Sequence, residues 1–426
     1  MAGRVLMPVR QDGSSGVARP AAGTHVGHRA GEAGYRRVTA SLVAAGIATF
    51  ALLYSTQALL PELARSFSVS AAQSTLSLSL TTVGLGGALL VAGPLSEVVG
   101  RTRLIHLSLT SSAVVALACA VAPTWEVLLV LRLLEGVTLA GLPAVATAYL
   151  HEELHRDTHA RAAGLYIGGT ALGGMTGRLV TGAVADVAGW RWALAAVGVV
   201  VALCALAVWL LLPPSRGFVP APARLGVLAT MARRALADRG LLTLYAVGAC
   251  SAGALVAVFN AVGFRLTAAP FSLGLAAAGL VFLVYPVGSV SSALAGRLAG
   301  RFSRRAVVPV GCLAAVAGVL LTLPASLPLL VAGLAVLTAG FFAVHGVASG
   351  WVPARARAGG VAAGQAASFY LFAYYLGSSV FGSLAGTAWT AGAWPAVVAL
   401  ASALLVLSGL LALWLWRIPS LDPLRR

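Results

Sequence analysis

Sixteen consecutive residues, Val197-Gly198-Val199-Val200-Val201-Ala202-Leu203-Cys204-Ala205-Leu206-Ala207-Val208-Trp209-Leu210-Leu211-Leu212, carry no charged, amide or hydroxyl side chain. A strand in a membrane barrel alternates apolar and polar positions over about ten residues. This run is apolar on every face, so it reads as a helix immersed in hydrocarbon. The rest of the chain is of the same kind: of 426 residues, 59% are apolar and 10% charged, and the mean hydropathy is +0.92. A soluble domain carries roughly a quarter charged residues, so the chain reads as an all-α membrane protein crossing the bilayer many times.

A spanning helix takes about 20 apolar residues, and the length leaves room for about twelve with short loops. Apolar spans are expected at 39–60, 75–98, 104–122, 126–149, 160–187 and 191–212, then at 241–266, 274–299, 306–323, 327–351, 362–388 and 395–416. They form two six-helix bundles, 37–212 and 241–417, joined by a cytoplasmic linker at 213–240. Residues 1–36 lack the apolar core of a signal peptide and are expected to be a disordered cytoplasmic tail, with a second cytoplasmic tail at 418–426.

All 29 basic residues are arginine, and the net charge is +17. With the N-terminus inside, 24 of them lie in the tails and inner loops, and the outer loops keep only Arg65, Arg191 and Arg265. A count of basic residues in short loops sets orientation, so both termini are expected in the cytoplasm. Nucleic-acid binding is set aside, because it needs a basic stripe on a soluble surface. Cys119, Cys204, Cys250 and Cys312 stand singly in apolar segments, which speaks against disulfides or a metal site.

Sliding the sequence against itself by 203 to 204 positions aligns the halves: Gln57 meets Asn260, Gly93 meets Gly296, Arg101 meets Arg304, and Tyr166 meets Tyr370. A same-topology duplication of this kind places two bundles about an axis along the membrane normal.

The loop after the second span reads Gly93-Pro94-Leu95-Ser96-Glu97-Val98-Val99-Gly100-Arg101-Thr102-Arg103. It resembles the G-x-L-[SA]-[DE]-x-x-G-R-[RK] signature of the major facilitator superfamily, and the duplication extends the resemblance over the chain after residue 36. The resemblance implies a cytoplasmic latch between the bundles made by Gly93, Glu97, Gly100, Arg101 and Arg304. In the second copy Gly300 replaces the acid. Leu131-Arg132-Leu133-Leu134-Glu135-Gly136 resembles the R-x-x-[QE]-G motif of the drug and proton antiporter branch. The fifth span, with Gly164, Gly168, Gly169, Gly173, Gly174, Gly177 and Gly182, resembles that branch's glycine-faced helix, except that Arg178 stands where proline is usual. It looks most like bacterial efflux members whose fifth span reads GGxxGR.

Charges inside a membrane segment are costly and mark pathways or pairs. Glu135 is the one acid expected at depth, so it is the candidate proton carrier, with Arg132 and Arg178 as cations that tune it; structural pairing of Arg178 with Glu135 or Asp186 is the other reading. Gln57 and Asn260, with Tyr54, Tyr166, Tyr370 and Tyr374, are the candidate substrate cavity, joined by Tyr285 and Phe259 as possible lining. For the two amides a helix-to-helix contact is an equally good account. His151-Glu152-Glu153-Leu154-His155 fits the H-E-x-x-H zinc-protease pattern, but it lies in an inner loop without a further acidic ligand. His345 and Ser349 lack the loops of a hydrolase.

The expectation is therefore a multi-pass inner-membrane transporter without enzymatic activity, metal or cofactor. It would be monomeric and powered by a proton gradient, its partners being a small-molecule substrate, protons and lipid. Efflux by alternating access is the primary reading. Uptake of a small organic anion together with protons is the alternative, and an intramembrane zinc protease a remote one.

Overall fold

The computed structural model describes residues 27–216, 218 and 225–421. Among the described residues the fold is helical, apart from a single bridge between His28 and Leu154. The elements of the first half are α1 (Ala33–Leu53), α2 (Leu60–Ser66), α3 (Ala71–Val99), α4 (Arg101–Ala120), α5 (Trp125–Leu139), α6 (Gly141–Glu153), α7 (His159–Ala188) and α8 (Trp190–Leu211). Then come α9 (Leu225–Ala237), α10 (Arg239–Thr267), α11 (Leu275–Gly279), α12 (Tyr285–Arg301), α13 (Arg304–Leu321), α14 (Leu327–Ala358) and α15 (Ala363–Trp414). With α1 and α2, α5 and α6, and α11 and α12 each taken as one continuous span, ten helices among the described residues are long and apolar enough to cross a membrane.

Several expected boundaries shift. The tail placed at 1–36 ends sooner, because α1 begins at Ala33 and buries Tyr35, while His28 exchanges backbone hydrogen bonds with Glu153 and His155; residues 1–26 lie outside the described residues. The linker at 213–240 contains α9, and α10 starts inside it at Arg239. The first span breaks at Leu53, turns through 54–56 and resumes as a short 3-10 turn, Gln57–Leu59, followed by α2. The fourth is jointed at Ala140 between α5 and α6. The last two expected spans appear as α15, interrupted by non-helical backbone at Gly392 and Ala393.

Local chemistry explains the ends. Ser70 caps α3 by accepting from the Gln73 N–H at 3.1 Å, and the Gln73 side chain accepts from the Ser70 N–H at 2.9 Å; this reciprocal box satisfies two orphan donors. Gly100 turns the chain from α3 into α4 at φ +96°, a left-handed conformation that costs glycine nothing. Asp238 caps α10 through the Leu241 N–H at 2.7 Å and takes Arg355 on both oxygens at 2.7 and 3.0 Å. Burial alone would push this carboxyl up, but Arg355 and the backbone donors outweigh it and hold it below the ordinary aspartate range.

The helices α1 to α8 pack around one core that includes Leu42, Leu85, Ile105 and Tyr149, and α10 to α15 around another that includes Phe259, Leu334, Phe341 and Trp394. Across the two, α3 lies along α15, α7 against α11 and α12, and the 57–66 corner against α10. The bonds that join them include Ser383 to Ser79 at 2.8 Å, Ser379 to Thr82 at 2.6 Å, and the Leu275 N–H to Asp186 at 2.8 Å. These lie toward the end of the molecule away from the arginine-rich loops.

Two outcomes test this packing. On α7, a Cβ at Gly173 would sit 2.3 Å from the Ile47 carbonyl oxygen, while at Gly168 it would meet nothing within 4 Å. Gly173→Val should therefore lower stability by about 1–3 kcal/mol through overpacking, and Gly168→Val should not, as read by thermal melting of the purified protein. A depressed carboxyl contributes stability above its unfolded value and loses it as pH falls through the folded one. Asp238→Asn should thus melt earlier than the parent near neutrality, with the gap closing as the pH drops below about 4.

Candidate functional site

The break at the end of α1 governs the site. Because the helix stops at Leu53, the regular ladder ends there: the Leu52 carbonyl accepts instead from the Ser55 N–H at 3.1 Å and Ser55 Oγ at 2.9 Å, the Leu53 carbonyl lacks a helical partner, and inside a membrane such groups must be satisfied by protein. Arg132 on α5 does this. It donates to the Leu52 oxygen at 3.3 Å, the Leu53 oxygen at 3.4 Å, Ser55 Oγ at 3.1 Å and the Ser77 oxygen at 3.0 Å. Its charge is met by Glu135, one helical turn along, through Oε2. Both side chains are buried, and Glu135 Oε1 has no hydrogen-bond partner.

Past the break, Gln57 enters a chain of bonds that crosses between the halves. Its Nε2 donates to Asn260 Oδ1 at 2.8 Å, and Asn260 Nδ2 donates to the Gly382 oxygen at 3.1 Å. On its other side, Gln57 Oε1 accepts from Arg178 Nε at 2.6 Å. Arg178 also donates to the Gly174 oxygen at 2.7 Å and to the Tyr285 hydroxyl at 3.1 Å. Three rings face its guanidinium: Tyr54 at 4.1 Å, Tyr285 at 4.4 Å and Phe282 at 4.9 Å. Such contacts favour a desolvated cation by about 2 kcal/mol or more at best.

Arg178 forms no ion pair among the described residues. Glu135 is taken by Arg132, and Asp186 accepts from Leu275 at the start of α11. Neither partner expected for Arg178 is thus bonded to it, because its side chain runs toward Gln57 and Tyr285. The amides face each other, with Phe259 beside them stacked on Phe282 at 5.7 Å and tilted against Tyr285 at 5.0 Å.

The aromatic candidates fall into two groups. Tyr54 and Tyr285 belong to the Arg178 cage. Tyr370 and Tyr374 belong to a cluster around His345, whose Nδ1 lies 3.0 Å from the Tyr370 hydroxyl and whose ring lies 5.7 Å from Phe341 and 4.9 Å from Tyr374. Tyr285 and Phe342, 6.3 Å apart, connect the two groups. Tyr166 packs separately, against the first core. His345 was legible as a polar residue within an apolar span, but only the fold brings it among these rings.

At the arginine-rich end, Arg101 is bonded to Ser96, to Glu97 at 2.7 Å and to Glu152 at 3.1 Å. All of this cluster lies in the first half. Arg304, placed by the repeat as the matching latch residue, is exposed and bonds to none of them. Gly93 has open space around it. The His151 ring packs against His159 at 4.5 Å and His155 sits beside Asp157 at 3.3 Å, so the H-E-x-x-H residues turn to different neighbours. No group of three or more candidate metal ligands occurs among the described residues.

Comparison with known proteins supports this picture. Residues 41–364 match the Major Facilitator Superfamily. The Bacillus subtilis (strain 168) protein named "Uncharacterized MFS-type transporter YybF" is 40% identical over 387 residues, covering 91% of this chain and 94% of its own. The Escherichia coli (strain K12) "Inner membrane transport protein YnfM" is 41% identical over 374 residues, covering 88% and 89%. A crystal structure of a bacterial homolog of the human lysosomal transporter Spinster, in an inward-facing and unoccupied conformation, shares the fold with a TM-score of 0.73 at 17% identity, covering 90% of this chain and 97% of that one. The chain belongs to the Major Facilitator Superfamily and is a multi-pass inner-membrane transporter, not an enzyme.

Proposed function

We propose that the chain is a proton-coupled secondary transporter that exports a small molecule by alternating access between two six-helix bundles, 37–212 and 241–417. The two crossings beyond the ten long apolar helices are α7, whose glycines and Arg178 dilute its hydropathy, and the limb of α15 past Gly392. Both termini lie in the cytoplasm by the arginine bias. The end joined by Ser79–Ser383 and Asp186–Leu275 is then the outer end, closed, and the chain stands inward-facing.

The observation that carries the coupling is the Glu135 carboxyl, buried, with one oxygen bonded to Arg132 and the other without a partner. A proton taken up on Oε1 removes the charge that balances Arg132. Arg132 in turn holds the carbonyls at the α1 break, so the protonation state of Glu135 bears on the corner that presents Gln57 to Asn260 and Arg178. Arg178 takes no direct part in tuning Glu135 in this arrangement.

Glu135→Gln should abolish pH-gradient-driven flux in proteoliposomes while substrate binding and exchange persist, because the amide mimics the protonated state. If the pair only holds the helix together, the same change should lower thermal stability and impair every mode of transport alike. Flux, binding and melting measured on this one variant separate the outcomes, and coupling at normal stoichiometry would sink the proposal.

A second reading, favoured by Arg178, concerns the substrate. A buried guanidinium without a carboxylate is an available counter-charge, and exchanging Gln57 and Tyr285 for an anionic oxygen would pair it. A small organic anion is then the transported class, in either direction. Hydrogen bonds to charged groups contribute about 1.5–3 kcal/mol, so Arg178→Gln should weaken binding of such a substrate about tenfold or more. A neutral analogue should be affected far less; equal loss for both would leave Arg178 a purely structural cation.

A further inference from the structure

The arginine-rich end of the second half contains a cavity of about 590 Å³ lined by Arg304, Arg305, Arg355 and Arg357, with Trp351 and Trp416 in its wall and no carboxylate among the described residues that line it. The four arginines are not equally engaged. Arg355 is held by Asp238 at 2.7 Å, and Arg305 donates to the Ile418 oxygen at 2.7 Å. Arg304 and Arg357 are exposed, and their side chains make no hydrogen bond or ion pair among the described residues. Like charges gathered on one wall repel, and the arrangement favours a counter-ion.

The duplicated half shows what is missing. There the equivalent arginine, Arg101, is neutralised by Glu97 and Glu152. The repeat offset places Gly300 opposite Glu97 and Ala356 opposite Glu152. Both carboxylates are gone, and a Cβ at Gly300 would meet nothing within 4 Å. The cavity therefore stands where the first half carries its acids.

Its surroundings point to the source of the anion. Phe302 is 62% exposed and Trp416 55%, both at the ends of membrane-length helices. Arg301 lies 5.4 Å from the Phe302 ring, and Arg417 5.4 Å from the Trp414 ring. Aromatic rings and long basic side chains reaching for the polar layer mark the headgroup level of a bilayer. Basic pockets between helices at that level suit acidic headgroups. We propose that this cavity binds the phosphate of an anionic phospholipid, whose oxygens take the place of the two missing carboxylates against Arg304 and Arg357, with the acyl chains lying along the exposed face beside Phe302 and Trp416.

The test uses the full chain in nanodiscs of phosphatidylcholine with or without phosphatidylglycerol, followed by native mass spectrometry of the lipid that stays bound and by thermal melting. Phosphatidylglycerol should be retained over phosphatidylcholine by roughly tenfold or more and should raise the melting temperature. Gly300→Glu restores the acid four residues before Arg304, as Glu97 stands before Arg101, and should erase that preference. Should this variant fold poorly, the double change Arg304→Gln and Arg357→Gln should erase it as well. Equal retention of the two lipids by the parent chain, or an undiminished preference in a folded variant, overturns the proposal. Inorganic phosphate is the control for the free ion: if it stabilises the chain in phosphatidylcholine discs as fully as phosphatidylglycerol does, the lipid assignment is wrong.

Discussion

A transmembrane helix that stops partway through the bilayer leaves carbonyls that no water can reach, and the rest of this site depends on how that problem is met. Arg132 reaches from α5 to the oxygens of Leu52 and Leu53 and so stabilises the break at the end of α1. A side chain with five donors in a planar fork suits this task better than an ammonium group. The solution introduces a buried charge, and Glu135 offsets it from the same helix face. Because the helix turns there, Gln57 is carried sideways to meet Asn260 of the other half. Gln57, the Arg132–Glu135 pair and Asn260, from three separate stretches of sequence, are thus linked around one joint.

The second buried arginine answers a different problem. Arg178 sits where α7 meets α12, bonded to Gln57 of its own half and Tyr285 of the other. Dipoles and ring faces solvate it less completely than a carboxylate would, so it is held at some energetic cost. Separation of the halves at this end removes Tyr285 from its donors and Asn260 from Gln57 together. Water or a bound anion then has to replace them. The joint at α1 and the cage around Arg178 share Gln57, so a change at one is felt at the other.

The membrane class and the position of most spans were legible in the sequence because hydropathy over a helix length is a direct reading of the solvent. The pairing of Gln57 with Asn260 was foreshadowed by their equivalent positions in the repeat. The breaks were not legible. Residues 39–60 carry no charge and no glycine or proline near Leu53, and the polar run Ser55-Thr56-Gln57 does not by itself say that the helix ends there, since the groups that make the break tolerable, Arg132 and Ser55, come partly from another helix. Arg178 is a related case: charge complementarity made pairing with Glu135 or Asp186 one of two readings, whereas the fold commits both acids elsewhere and offers amide, hydroxyl and aromatic groups instead. α7 illustrates the converse, since its glycines weaken its hydropathy yet allow it to lie against the backbone of α1.

The two halves descend from one pattern but divide its electrostatics unequally. In the first half the loop arginine Arg101 is neutralised by two acids on neighbouring helices, so this arginine needs no outside charge. In the second half the same position, Arg304, has lost both acids, and the balance passes to whatever surrounds the protein. An internally paired cluster changes little when salt or lipid changes, because its partners are part of the chain. An unpaired one responds to its environment, since its counter-ions are drawn from solution or from the bilayer surface. Arg101 is thereby insulated from its surroundings, whereas Arg304, exposed and without an ion pair among the described residues, is open to them. If the cavity holds an anionic lipid as proposed, that asymmetry would give the lipid composition a physical route to the second bundle that does not pass through the substrate site.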